Sequence, residues 1–186
     1  MINDKKPYKL SFTTRILVLF LFLSFSSFED NVDEIKDLNA KYKAVFIKNF
    51  TKHVEWPPEK KNGNFIIGIF GQYPQLIKEL KRMAETKKVG TQDMVIQIYP
   101  SVSAINSCHI LYIAPNQSAQ LPRVINKVRR NNTLLITDKA GLAKQGAGIN
   151  FIFIQKRLRF ELNTANVKKS SLKVSGQLLT LAKIVN

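Results

Sequence analysis

The sequence predicts an α/β fold, a three-layer sandwich whose mainly parallel sheet is flanked by helices and carries an antiparallel edge hairpin near the C-terminus. Three observations point there. In residues 64–71, Phe65, Ile66, Ile67, Ile69 and Phe70 put apolar side chains on both faces of a strand, the pattern of a parallel strand covered on both sides. Strand-like and helix-like segments then alternate along the chain, which favours right-handed crossovers within one sheet. Residues 158–162, Leu-Arg-Phe-Glu-Leu, instead alternate apolar and charged side chains, as a half-exposed antiparallel strand does.

Taken in order, the chain begins with a basic region, Lys5, Lys6, Lys9 and Arg15, followed by the apolar block 16–23 and the small residues Ser24, Ser26 and Ser27. This is the layout of a cleavable secretory signal over residues 1–27. Arg15 leaves the apolar stretch shorter than the ~20 residues of a spanning helix, so export to the periplasm is expected, with a single domain over 28–186. The whole chain has 29 basic and 13 acidic residues. Without the four basic residues and Asp4 of the leader, 25 face 12, a net charge of +13. An exported protein of that charge meets anionic lipid, polysaccharide or an acidic protein face, and no nucleic-acid partner is expected.

Ile35, Leu38, Tyr42, Val45, Phe46, Phe50 and Val54 recur at helical spacing and predict a long amphipathic helix that ends where Trp56 meets Pro57 and Pro58. The central strand follows. Gly71 closes it, and Pro74 opens a helix with Leu76, Ile77, Leu80 and Met83 on one face. Residues 85–90 read as a loop, 94–99 as a strand, 102–106 as a turn or short helix, and 109–114 as the third strand. Residues 121–130 form a basic helix with Leu121, Val124, Ile125 and Val128 inward. Strands over 133–137 and 149–154 come next, and the turn 155–157 leads into the edge strand. Two helices end the chain, 163–169 and 174–185, the latter turning Leu178, Leu179, Leu181, Ala182 and Val185 inward.

Motifs of catalysis are sparse. The glycines of 68–71 do not make a dinucleotide fingerprint, and no phosphate-loop lysine follows them. His53 and His109 are the only histidines and have no cluster of Cys, His and carboxylates around them, so neither a metal nor any other cofactor is expected. The single cysteine, Cys108, excludes an internal disulfide and reads as a small buried residue at a strand entry. Ser170, Ser171 and Ser175 lack a His and Asp at recognisable positions, and Asp138 reads as a turn or helix cap. No residue set has the outline of nucleophile, base and orienter, and the protein is expected not to be an enzyme.

Two groups are singled out for binding. Arg157, Arg159 and Glu161 share one face of the edge strand by period two, and their two guanidinium forks suit a carboxylate, a phosphate or an acidic partner. The competing reading is a charged edge that resists aggregation. His53, Glu55 and Trp56, at the end of the first helix, are the candidates for contact with a partner protein.

The segments 43–57, 65–71, 108–113, 134–138, 148–151, 157–163 and 172–185 together resemble the YfiR/HmsC family, over about Lys41 to the end. The helix that leads into Glu55-Trp56-Pro57 and the late Arg157-Leu-Arg159-Phe-Glu161-Leu-Asn163 carry most of the likeness. The resemblance implies an exported α/β protein that binds the periplasmic region of a membrane diguanylate cyclase and represses it, lowering cyclic di-GMP and biofilm formation. It also implies a capacity to form homodimers, small-ligand recognition in the region of Arg157, Arg159 and Glu161, and protein contact along the first helix up to Trp56. The chain departs from the family in having Cys108 alone, where characterised members carry cysteine pairs. Two other destinations stay open, a sensor kinase in place of the cyclase and a solute-binding module for a small anionic or aromatic ligand.

Overall fold

The computed structural model describes residues 26–186, with side chains from Asp37 onward. The expected signal peptide, residues 1–27, lies outside that range apart from its last two residues. The chain divides into two units, Met1–Leu38 and Asn39–Asn186. Among the described residues no helix is long and apolar enough to cross a membrane.

The elements are α1 (Ser26–His53), β1 (Val54–Glu55), β2 (Phe65–Phe70), α2 (Pro74–Ala84), β3 (Lys88–Val89), β4 (Gln92–Tyr99), β5 (Ile110–Ile113), α3 (Leu121–Val128), β6 (Leu134–Thr137), β7 (Ile149–Ile154), β8 (Arg157–Leu162), α4 (Thr164–Lys169), β9 (Lys173–Val174), α5 (Gly176–Leu181) and β10 (Lys183–Ile184), with 3-10 turns at Pro58–Lys60 and Pro115–Gln120. Eight strands form one sheet in the order β10-β8-β7-β6-β5-β2-β4-β3. Its interior is parallel, β4 and β5 flanking β2 with β6 and β7 beyond, and β8 turns back antiparallel on β7. The mainly parallel α/β architecture expected from the sequence is the one observed.

Burial on both faces explains the continuous apolar runs. Along β2, Phe65, Ile67 and Ile69 join one core cluster with Leu76 and Leu80 of α2 and Ala44, Ile47 and Phe50 of α1. Phe70 joins a second cluster with Leu121, Val124 and Val128 of α3. β5 divides in the same way, Ile110 and Tyr112 to the first and Leu111 and Ile113 to the second. The first cluster is aromatic at its centre, where Phe50 and Phe160 meet edge to face with ring centroids 5.0 Å apart.

Four details differ from the sequence expectation. The buried face of α1 is Ala40, Lys43, Ala44, Ile47 and Phe50, while Leu38, Tyr42 and Val45 are 48%, 51% and 44% exposed. Small alanines let the helix lie close on the sheet, a preference that apolar spacing weights too lightly. The end of α1 is not helical at Val54, because Val54 and Glu55 pair antiparallel with Val174 and Lys173. Residues 88–89, expected in a loop, pair with β4. The last helix is short: Ser175 accepts a hydrogen bond from Leu178 N–H at its start, and Ala182 is already extended. Lys183 and Ile184 then pair parallel with Glu161 and Leu162, so part of β8 is interior to the sheet and Leu181 is left 63% exposed. Backbone pairing there outweighs another turn of helix.

A polar knot fastens the loop after α1. Trp56, 5% exposed, donates its indole N–H to the His109 carbonyl at 3.2 Å. His109 stacks on Phe65 with centroids 4.2 Å apart, receives the Ile66 N–H at Nδ1 (3.0 Å) and lies 2.8 Å from the Lys60 carbonyl at Nε2. With Nδ1 accepting, the single ring proton sits on Nε2 and donates to Lys60. Burial lowers the His109 pKa; the hydrogen bond to the Lys60 carbonyl opposes this, and the nearby Lys60 charge adds to it, leaving the net shift downward.

Because the folded pKa lies below the unfolded value, the unfolded chain takes up this proton first, and stability falls as pH drops below about 6.5. Protonation at Nδ1 also takes away the acceptor of the Ile66 N–H. Urea denaturation between pH 7.5 and 5 is expected to show a steeper loss for the wild type than for His109→Asn, which keeps an acceptor at that position but cannot titrate. Parallel slopes for the two would contradict this role.

Candidate functional site

The carboxyl ends of the parallel strands carry a buried polar cluster centred on Lys43. Its side chain leaves α1 between Ala40 and Ala44 and forms an ion pair with Asp138, which directly follows β6. The two side chains are 6% and 10% exposed. Tyr112 of β5, fully buried, donates its hydroxyl to Asp138 Oδ2 at 2.8 Å. Lys43 Nζ also lies 3.5 Å from Tyr73 Oη, 5.1 Å from the Tyr73 ring centre and 5.9 Å from that of Phe153. Burial, then the Asp138 charge, then the hydrogen bond to it raise the Tyr112 pKa far above the usual phenol range. Tyr112 is therefore a permanent donor at physiological pH, and the cluster is a fixed tie between helix and sheet rather than an acid–base pair.

A second polar chain runs alongside. Thr137 Oγ1 donates to Asn150 Oδ1 at 2.8 Å, Asn150 Nδ2 donates to Glu161 Oε2 at 3.1 Å, and Lys183 Nζ lies 3.4 Å from Glu161 Oε1. Arg157 and Arg159 are exposed on the same strand as Glu161, with Leu158 and Phe160 buried between them. Period-two placement thus brings the three predicted ligand residues onto one face, where Glu161 is half-buried and occupied by Asn150 and Lys183. Among the described residues neither arginine makes an ion pair.

The three predicted partner-contact residues part company. Glu55 is exposed. His53 is half-buried, with Nδ1 3.1 Å from Ser175 Oγ and its carbonyl receiving Ser175 N–H at 2.8 Å, so it ties α1 to the C-terminal segment. Trp56 is enclosed in the knot described above. Cys108 is fully buried, and burial pushes its thiol up to about 11, out of the range of a reactive thiolate. Among the described residues no three His, Cys, Asp or Glu side chains lie close enough together to hold a metal ion.

Sequence reasoning missed Lys43, Tyr73 and Tyr112. Lys43 was countable from its spacing, since Ala40, Ala44 and Ile47 bracket it on the one face small enough to pack closely. Its partner is 95 residues away in sequence, and no local pattern links the two.

A family model described as YfiR/HmsC-like matches residues 40–183. The chain belongs to the YfiR/HmsC-like family. Proteins of this family are periplasmic regulators of diguanylate cyclase, regulatory rather than catalytic, and act on membrane-associated signalling proteins. The match spans the strand-bearing unit apart from its first residue and its last three. No curated protein matches the chain.

Removing one member of the Lys43–Asp138 pair strands the other charge in the core. Lys43→Ala is expected to destabilise the protein by about 3–5 kcal/mol. Lys43→Met combined with Asp138→Leu removes both charges and is expected to be more stable than Lys43→Ala alone. Chemical denaturation of the three chains checks the order, and a Lys43→Ala loss below about 1 kcal/mol, the scale of a surface ion pair, would show that the pair is solvated.

Proposed function

We propose that this family member is an exported, non-catalytic regulator that binds the periplasmic region of a membrane-bound signalling protein, a diguanylate cyclase, and represses it. Cyclic di-GMP and biofilm formation fall as a result. Residues 1–27 act as a cleaved signal peptide in this reading, and 28–186 are the mature domain. The observation that carries it is a groove of about 430 Å³ between the outer side of α1 and the end of α2. Val45 and Met83 give it an apolar floor, and Lys48, Lys52, Lys87 and Lys88 line it with cations. An amphipathic helix bearing acidic side chains fits that arrangement, its apolar stripe against Val45 and its carboxylates toward the lysines.

Tyr42, 51% exposed, enlarges the apolar surface of the helix. Glu55 adds an exposed charge at its end, while His53 and Trp56 hold the backbone beneath it. A second reading is supported by the exposed Arg157 and Arg159 on β8: a solute sensor that takes a small anionic or aromatic ligand there and passes the signal to a kinase or the cyclase. The two are compatible, since the hairpin of β7 and β8 reaches Lys43 through Phe153.

The reading is tested by carrying Val45→Glu and Lys48→Glu in the groove of the full chain. Neither side chain belongs to the core clusters, so the thermal midpoint is expected to stay within a few degrees of wild type. Recovery of the cyclase from native membranes is expected to drop about tenfold, as two unfavourable contacts at an interface centre imply, with cellular cyclic di-GMP rising to the level of a deletion strain. Unchanged capture and unchanged cyclic di-GMP, with the protein folded, would remove the groove from the mechanism.

A further inference from the structure

Apart from the α1 groove and the β8 arginines, the sheet topology creates a second opening. β2 continues into α2, which packs on the face of α1, whereas β5 continues into α3, which packs on the opposite face. Neighbouring strands whose connections leave on opposite sides define the switch point of an open α/β sheet, and the crevice beyond their carboxyl ends is where such sheets take ligands. Here Gly71 ends β2 at φ +104°, and a side chain there would collide with Asn116 Oδ1 at 2.6 Å and Gln117 Cγ at 2.8 Å. Asn116 Oδ1 accepts the Gln72 N–H at 3.3 Å. This closes the direct gap between β2 and β5 and displaces the opening toward β4 and α3.

The displaced opening is a crevice of about 400 Å³, within the range of small-molecule sites. Phe70 and Pro100 give it apolar surface. The polar groups in its lining are Ser101, Ser103, Gln117, Gln120, Arg123 and Lys127, and no carboxylate is among them. Arg123 and Lys127 stand one turn apart on the same side of α3. The Arg123 guanidinium is steadied by donating to Gln120 Oε1 at 3.2 Å. Ser101 Oγ accepts the Ala104 N–H at 3.3 Å and lies 2.8 Å from Ser103 Oγ, so one serine hydroxyl hydrogen of that pair is left to donate outward. Two cations one helical turn apart, with hydroxyls and carboxamides around an apolar floor, offer more donors than a carboxylate has oxygens to use. They suit the three acceptor oxygens and two charges of a phosphoryl group.

We propose that this crevice binds a small phosphomonoester, its phosphoryl group held by Arg123, Lys127 and the Ser101–Ser103 pair and its organic part lying on Phe70 and Pro100. The phosphoryl group is carried either by a soluble ester or by a phosphatidate-type lipid headgroup, with the same chemistry of recognition. The inference is separate from the regulator reading, because the crevice shares no residue with the α1 groove.

Isothermal titration of the full chain with phenyl phosphate is the test for a soluble ester, and cosedimentation with phosphatidylcholine vesicles containing phosphatidic acid is the test for a lipid. Saturable binding at one site per chain is expected in one arm or the other, and the arm that responds names the source. Binding is expected to weaken about tenfold in Arg123→Gln/Lys127→Gln, the loss of charge-assisted hydrogen bonds to the phosphoryl group. The control Lys78→Gln/Lys81→Gln, which removes the same charge at two exposed positions of α2, should leave it unchanged. Affinity should also rise as pH passes through the second phosphate ionisation near 6. Absence of saturable binding in both arms, full retention in the Arg123/Lys127 variant, or an equal loss in the control would overturn the proposal.

Discussion

The buried contact of Lys43 with Asp138 is the constraint on which the arrangement of the surface depends. A lysine ammonium taken out of water is tolerated only with a charge partner and good hydrogen bonds. Asp138 supplies the charge, Tyr112 satisfies the same carboxylate oxygen from below, and the Tyr73 ring and hydroxyl cover the ammonium. These four groups come from α1, the end of β6, the middle of β5 and the loop after β2. Rotating α1 by one residue, about 100°, would withdraw Lys43 from Asp138. The pair therefore contributes to orientation more than to net stability, and it accounts for Tyr42 and Val45 facing outward while two alanines face the sheet.

The sheet was legible because a parallel interior demands apolar side chains on both faces, and β2, β5, β6 and β7 answer with runs rich in Ile, Leu and Phe. The antiparallel hairpin was legible for the opposite reason: Leu158, Phe160 and Leu162 alternate with Arg157, Arg159 and Glu161, although β10 pairs outside it and takes the edge. Helix α1 was legible as a helix and misread in phase. Leu38, Tyr42 and Val45 are larger than Ala40 and Ala44, and a hydrophobicity pattern follows size. The packing surface follows closeness of approach and the location of Asp138, which lies outside any window of local sequence. The C-terminal segment failed similarly, since Lys183 and Ile184 pair with a strand laid down 22 residues earlier. Of the site, the arginine face could be read from spacing, whereas the Lys43 cluster and the α1 groove exist only once distant segments meet.

Charge gives the last constraint on how such a protein selects partners. Between Met94 and Asn186 the acidic residues are Asp138 and Glu161 alone, and both are engaged by a lysine and a neutral donor. Few carboxylates are left in that half to neutralise its cations, so it carries a large net positive charge. A positive field draws any polyanion and, screened within about 8–10 Å at physiological salt, discriminates poorly among them. Selectivity must then come from shape at short range, where the field meets apolar surface. Val45 with Met83 on one side of the sheet, and Phe70 with Pro100 on the other, are places where cations surround a small apolar floor of that kind. An acidic ligand that can also bury carbon reaches either place in preference to a simple anion, which gains only the screened charge. A basic surface of this kind concentrates anionic partners of many sorts, and only shape at short range can discriminate among them.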